Sequence, residues 1–131
     1  MQNSITQGDI LHLEDFITSK HSIQYKIIKP SHEIKAQLGD LVTVHYTGWL
    51  LQNKNQVGKK FDSSLDRNQT FQFELGYQQV IEGWELSVAD MKIGEERIVI
   101  LPPALAYGNR AVSVIPANST LIFEIKLLAA E

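Results

Sequence analysis

Four segments of this chain alternate apolar and polar residues with a period of two, and one segment among them keeps a helical period instead. Ile23, Tyr25 and Ile27 alternate with Gln24 and Lys26, and Val42, Val44 and Tyr46 with Thr43, His45 and Thr47. Phe71, Phe73 and Leu75 alternate with Gln72 and Glu74, and Leu121, Phe123, Ile125 and Leu127 with Glu124 and Lys126. Successive side chains of a strand point to opposite faces, so each segment reads as a strand with one buried face. The run Arg97-Ile98-Val99-Ile100 adds another strand. By contrast, Trp84, Val88 and Met91 fall at i, i+4 and i+7, and Gly94 is placed to stop a helix. Strands that each present one apolar face need a cover. The pattern therefore predicts an α+β domain, an antiparallel twisted sheet wrapped around one short central helix. Leu38-Gly39-Asp40, Gln56-Val57-Gly58 and Lys92-Ile93-Gly94 supply turns where strands should end.

The pattern changes near His21 and Ser22, which divides the chain into an extension, 1–21, and a domain, 22–131. Within the extension Ile10, Leu13, Phe16 and Ile17 recur at helical spacing after Asp9, a good N-cap, and predict a short amphipathic helix. So short a helix is marginal alone, and it packs on the domain, pairs with a second copy or frays. Local packing is the preferred reading, and both a dimer through this segment and a monomer stay open.

Composition closes several function classes. A chain of 131 residues fits one domain, and a formal charge of −3 provides no basic stripe for nucleic acid. With no cysteine there is no disulfide, thiolate nucleophile or cysteine metal site. His12, His21, His32 and His45 share no ligand spacing, so no metal is expected; they read as scattered surface residues. The serines lack a nucleophile-elbow glycine pattern, and the glycines lack a dinucleotide or phosphate-loop fingerprint, so no cofactor is expected either. The first residues have no signal-like charge and apolar run, and no stretch reaches membrane-spanning length. The expectation is a soluble, cytoplasmic chain with no membrane partner, or a periplasmic or secreted one if a signal was removed from the given chain.

The aromatic residues are what remains unusual. Tyr46, Phe61, Phe71, Phe73, Trp84, Tyr107 and Phe123 lie on separate elements that can converge between sheet and helix. An aromatic core is the reading to prefer for any one of them alone, and composition does not decide between a core and an aromatic-walled cavity for the set.

At these residues the sequence resembles the FK506-binding protein (FKBP) family of peptidyl-prolyl cis-trans isomerases. The resemblance is carried by Val44-His45-Tyr46-Thr47-Gly48, Gly58-Lys59-Lys60-Phe61-Asp62-Ser63-Ser64 and Val80-Ile81-Glu82-Gly83-Trp84. It continues through Leu105-Ala106-Tyr107-Gly108 and Ile115-Pro116 to Thr120-Leu121-Ile122-Phe123-Glu124. The opening Ile23-Gln24-Tyr25-Lys26-Ile27-Ile28 and the turn Tyr107-Gly108-Asn109-Arg110 look like the bacterial Mip-like branch.

The resemblance implies a non-covalent, cofactor-independent rotamase that assists folding of proline-containing polypeptides and binds tacrolimus- and rapamycin-type macrolides. It implies a pocket with Trp84 as floor and Tyr46, Phe61, Phe71, Val80, Ile81, Tyr107 and Phe123 as walls. Tyr46, Phe61, Asp62, Trp84, Tyr107 and Phe123 are then the catalytic set. Phe71, Val80, Ile81, Val114 and Ile115 are binding residues, Arg67 supports Asp62, and Phe73 belongs to the core beneath. Asp62 either polarises the rim and orients Tyr46 or only pairs with Arg67. Two departures from the family pattern stand out: Trp49 to Lys60 is longer than in minimal members, predicting a hairpin that projects into solvent, and Asn109 to Val114 lacks the usual glycines. They motivate an alternative, a binding or chaperone module acting through the pocket loop or the 49–60 insertion.

Overall fold

The computed structural model describes residues 2–131. Seven strands form one antiparallel sheet: β1 (Ile17–Thr18), β2 (Gln24–Lys29), β3 (Leu41–Gln52), β4 (Gln56–Ser63), β5 (Phe71–Glu74), β6 (Glu96–Leu101) and β7 (Leu121–Ala130). Their order is β1-β2-β6-β7-β3-β4, with β5 also paired to β3. The long β3 is central. One edge pairs with β7 along its length, and the other is shared between β5 at its start and β4 at its end. A single helix, α1 (Glu82–Ala89), lies against one face. The α+β architecture expected from the periodicities is the one observed.

That face holds the main core. Val42 and Val44 of β3, Phe73 of β5, Val99 and Leu101 of β6, and Leu121, Phe123, Ile125 and Leu127 of β7 pack against Trp84, Val88 and Met91. Gly83 is required here by space, because a β-carbon on it would stand 2.6 Å from the Leu101 side chain. The helix can therefore press its backbone onto β6, which sets the depth of Trp84 beneath the rings around it.

The other face of the sheet is also covered, and the extension covers it. Leu11 is 6% exposed and packs with Trp49, Val57, Ile98, Ile100 and Ile122 in a second core, to which Ile5, Leu13, Phe16 and Ile28 add. Alternation across the sheet thus sends Val99 and Ile98, or Phe123 and Ile122, into two different apolar layers.

The helix expected from Asp9 to Ile17 does not form. Gly8 N donates to Val57 O (2.7 Å), Val57 N to Asp9 O (2.8 Å) and Leu11 N to Asn55 O (2.6 Å), so this stretch extends the sheet beside β4. A single 3₁₀ turn, Leu13–Asp15, then leads into β1, which pairs with β2. The physical reason is competition: a lone helix of this length is marginal, while two sheet edges offer unpaired backbone groups. The 49–60 hairpin is corrected for the same reason. Gln52, Asn53 and Lys54 at its tip and the Lys59 and Lys60 side chains are exposed, whereas Trp49 (2% exposed) and Val57 are buried beneath the extension.

Glu124 marks how tightly the extension is seated. Its carboxylate is buried on the outer face and accepts Ser4 N at 2.8 and 3.0 Å. Burial pushes the carboxyl above its ordinary value, opposed by the Ser4 and Ile5 backbone. Replacing Leu11 by alanine is expected to cost about 2–3 kcal/mol. A thermal midpoint lowered by on the order of 10 °C would agree with this, whereas an unchanged midpoint would mean that the extension is not docked in solution.

Candidate functional site

The site begins with what Gly48 permits. A β-carbon there would stand 2.6 Å from the Phe61 ring and 2.7 Å from the Phe123 ring, so only glycine lets both rings lie over the β3 backbone. Phe61 and Phe123 meet edge to face at 5.6 Å and 89°. Phe123 in turn meets the Trp84 indole at 5.3 Å and 88°, and Tyr46 meets it at 4.8 Å and 78°. Phe71 closes the ring of aromatics 5.9 Å from Trp84. Edge-to-face packing satisfies the ring quadrupoles while leaving the groups splayed.

They do not fill the interior. An open hollow of about 210 Å³ lies among Tyr46, Phe61, Asp62, Phe71, Gln79, Val80, Ile81, Trp84, Tyr107 and Phe123. The question left open by composition, core or cavity, is answered by both: Phe73 is buried below, and the others line the hollow. A second groove, bounded by Phe61, Asp62, Tyr107, Val112, Ser113, Val114 and Ile115, adjoins it across Phe61, Asp62 and Tyr107. Val114 is 53% exposed on the overhanging loop, and Ile115 is buried at its base.

One polar cluster stands at the rim. The Tyr46 hydroxyl donates to Asp62 Oδ2 at 2.5 Å, Arg67 Nη1 donates to Asp62 Oδ1, and Arg67 Nη2 reaches the Tyr46 hydroxyl at 2.9 Å. Burial alone would raise the Asp62 carboxyl, but the hydrogen bonds from Tyr46 and Arg67 outweigh it and hold it below the ordinary 3.8. A carboxylate depressed in the folded state adds stability that is present above its unfolded value and lost as pH falls through the folded value. Burial, and then Asp62, push the Tyr46 hydroxyl above 10.0, and the same two causes raise Tyr107. Asp62 thus holds the Tyr46 hydroxyl while it pairs with Arg67.

His45 departs from the surface reading, being partly buried with Nδ1 2.8 Å from Ser64 Oγ, which also accepts Tyr46 N at 2.8 Å. Burial is the leading reason that its imidazole titrates below the ordinary value. Gln79 was not singled out from the sequence, nor were Val112 and Ser113. Gln79 sits in a polar turn, and its Oε1 accepts Glu74 N at 2.8 Å, a contact that no periodicity signals. Among the described residues no group of three or more His, Cys, Asp or Glu is placed to hold a metal ion, and no helix is long and apolar enough to cross a membrane.

Comparison with known proteins follows the same geometry. The chain is similar to FK506-binding protein 2 of Candida glabrata, 49% identical over 110 residues that span 83% of this chain and 78% of that protein. It spans less than half of two further fungal relatives, 44% of one and 49% of the other. Among solved structures it resembles AtFKBP13, with a TM-score of 0.78, 30% identity, and coverage of 88% of this chain and 98% of that one. It also resembles FkpA from Escherichia coli, with a TM-score of 0.79, 32% identity, and coverage of 90% and 52%. The eukaryotic sequence relatives do not support the narrower placement in the bacterial Mip-like branch. The model of the FKBP-type peptidyl-prolyl cis-trans isomerases matches residues 32–128, and the chain belongs to that family.

Proposed function

We propose that this chain accelerates rotation about Xaa–Pro bonds of polypeptides, with the aromatic hollow above Trp84 as its site. The observation that carries this reading is the open space left over the indole by rings that meet edge to face. An Xaa–Pro bond rotates slowly because amide resonance must be broken, a barrier of roughly 18–20 kcal/mol. The planar amide is the more dipolar form and is the better solvated in water. A water-poor aromatic socket removes that advantage and so favours the twisted amide over the ground state.

In this reading Trp84, Tyr46, Phe61 and Phe123 enclose the pyrrolidine, with Phe71 and Val80 completing the wall. The Ile81 N–H and the Tyr107 hydroxyl hold the flanking peptide so that rotation occurs about one bond. Val114 and Ile115 contact the residues beside the proline. No bond is cleaved, so the chemistry calls for no nucleophile, proton relay or cofactor. Asp62 stays ionised and keeps the Tyr46 ring in place, with Arg67 as its support.

The direct test is cis-to-trans exchange of an Ala-Leu-Pro-Phe peptide, which micromolar protein is expected to accelerate; a rate equal to the uncatalysed one overturns the reading. With Asp62 depressed and both tyrosines raised, kcat/KM is expected to stay level from about pH 5 to pH 9. A bell-shaped profile centred near neutrality would show that a titrating group takes part. The same walls suit tacrolimus- and rapamycin-type macrolides, which should change Trp84 fluorescence on titration. The binding-module alternative keeps the exposed loop at Val114, the hairpin tip and the exposed Lys59 and Lys60 in its favour, while Trp49 and Val57 of the hairpin are buried.

A further inference from the structure

A second cavity, about 370 Å³, lies between the turn joining β1 to β2 and the C-terminal half of α1, and it shares no residue with the aromatic hollow. Its size is that of a small-molecule pocket. Ile23, Tyr25, Leu86 and Ala89 give it an apolar lining. The polar groups on the lining differ in whether they are already used.

Arg97 is spoken for. Its Nε donates to Glu95 Oε2 at 2.5 Å and its Nη1 to Asp90 Oδ2 at 3.0 Å, while the guanidinium lies 4.6 Å from the Tyr25 ring centre. Asp90 is spoken for as well, because Lys35 Nζ holds its other oxygen at 3.1 Å. Ser87 is not. It is 4% exposed, its hydroxyl is buried, and Oγ has no hydrogen-bond partner among the described residues. A serine within a helix ordinarily bonds back to the preceding turn or reaches water, and an unpaired buried hydroxyl is unfavourable. Lys20, exposed on the turn at the rim, takes part in none of the ion pairs found among the described residues.

We propose that this cavity binds a small carboxylate with an apolar body. The apolar part covers Ile23, Leu86 and Ala89, an oxygen accepts the Ser87 hydroxyl, and the negative charge meets the Lys20 ammonium. The apolar lining disfavours a fully hydrated ion such as phosphate, which gains nothing from covering it. A cationic ligand finds no free carboxylate, because both Asp90 oxygens are engaged.

The test is a titration of the full chain, labelled with nitrogen-15, with 4-phenylbutyrate, followed by amide shifts. The expected result is saturable shifts at Ser19–Ile23 and Leu86–Asp90. Ser87→Ala and Lys20→Glu should each weaken binding about tenfold, the size expected for losing one hydrogen bond or charge contact. The amide spectrum of each variant establishes that it is folded. 4-Phenylbutyramide should bind the wild type more weakly than the acid and should lose nothing further in Lys20→Glu. No saturable shift at these amides, shifts confined to Tyr46, Asp62 and Tyr107, or equal affinity in all three chains would each overturn the proposal. Failure here leaves peptide exchange untouched, so it is distinguishable from failure of the isomerase reading.

Discussion

Phe61→Ala is expected to lower kcat/KM for a proline peptide by about 30- to 100-fold, with a much smaller change in stability. Phe61 is only partly buried, standing at the mouth of the hollow against the edge of Phe123 and the bare backbone of Gly48. Removing it takes away one wall, and water then reaches the space where the amide must twist. An aromatic side chain fully shielded from water is worth about 2–3 kcal/mol. If that shielding is realised mainly in the twisted state, the loss appears in the rate, at roughly one factor of ten per 1.4 kcal/mol. Trp84→Leu would be less clean, since the indole is buried in the main core and its loss mixes rate with stability. Peptide exchange and thermal melts on the same Phe61→Ala sample separate the two effects. A variant that keeps wild-type kcat/KM would show that water exclusion by this ring does not drive the reaction.

Arg97→Met is expected to produce the largest loss of stability, about 3–5 kcal/mol, because removing one partner of a buried ion pair strands the other. Arg97 is 3% exposed, and Glu95, 2% exposed, holds its Nε at 2.5 Å. The methionine also forfeits the Tyr25 ring face and the contact to Asp90. Adding Glu95→Gln should recover much of the loss: the amide removes the stranded charge yet keeps an oxygen for Lys92 N, which Glu95 Oε1 accepts at 3.2 Å. Urea unfolding of wild type, single and double variants reads this directly. A single variant within 1 kcal/mol of wild type, a threshold well below the usual cost of breaking such a pair, would mean that the pair is not buried in solution. A double variant no better than the single would assign the loss to packing alone.

Much of the strand pattern was legible because one face of each strand meets the same apolar layer, as Val42, Val44 and Tyr46 do in β3. Where the second face is also buried, the signal failed. Thr47, Trp49 and Glu124 read as outward residues, yet all three are buried, because residues distant in sequence lie over them. Ile27 shows a smaller failure, although Tyr25 packs against the main core as its alternation predicts. Ile27 is 42% exposed where alternation predicts burial, while its neighbour Ile28 packs against the second core on the opposite face.

The candidate site was partly legible for another reason. Tyr46, Phe61, Trp84, Tyr107 and Phe123 sit in motifs whose resemblance to a family is visible without coordinates, but Gln79 and Ser113 lie outside those motifs, and the approach of Phe61 and Phe123 to Gly48 is set by the pairing of distant strands. Asp62 and Arg67 lie five residues apart and could be paired from sequence. Asp62 orienting Tyr46 was one of the two roles the resemblance implied, whereas the reach of Arg67 to the same hydroxyl was not implied by any motif.

The sequence by itself determined the alternating strands, the single covering helix, the absence of thiol chemistry and the aromatic residues available for a pocket, because these follow from local periodicity and residue type. Tertiary structure alone decided that the first residues join the sheet instead of forming a helix, since open sheet edges outcompete a short helix for its backbone hydrogen bonds. It also decided that the rings leave a hollow, because the depth of Trp84 is set by how closely Gly83 approaches Leu101 and the spread of Phe61 and Phe123 by the missing side chain at Gly48.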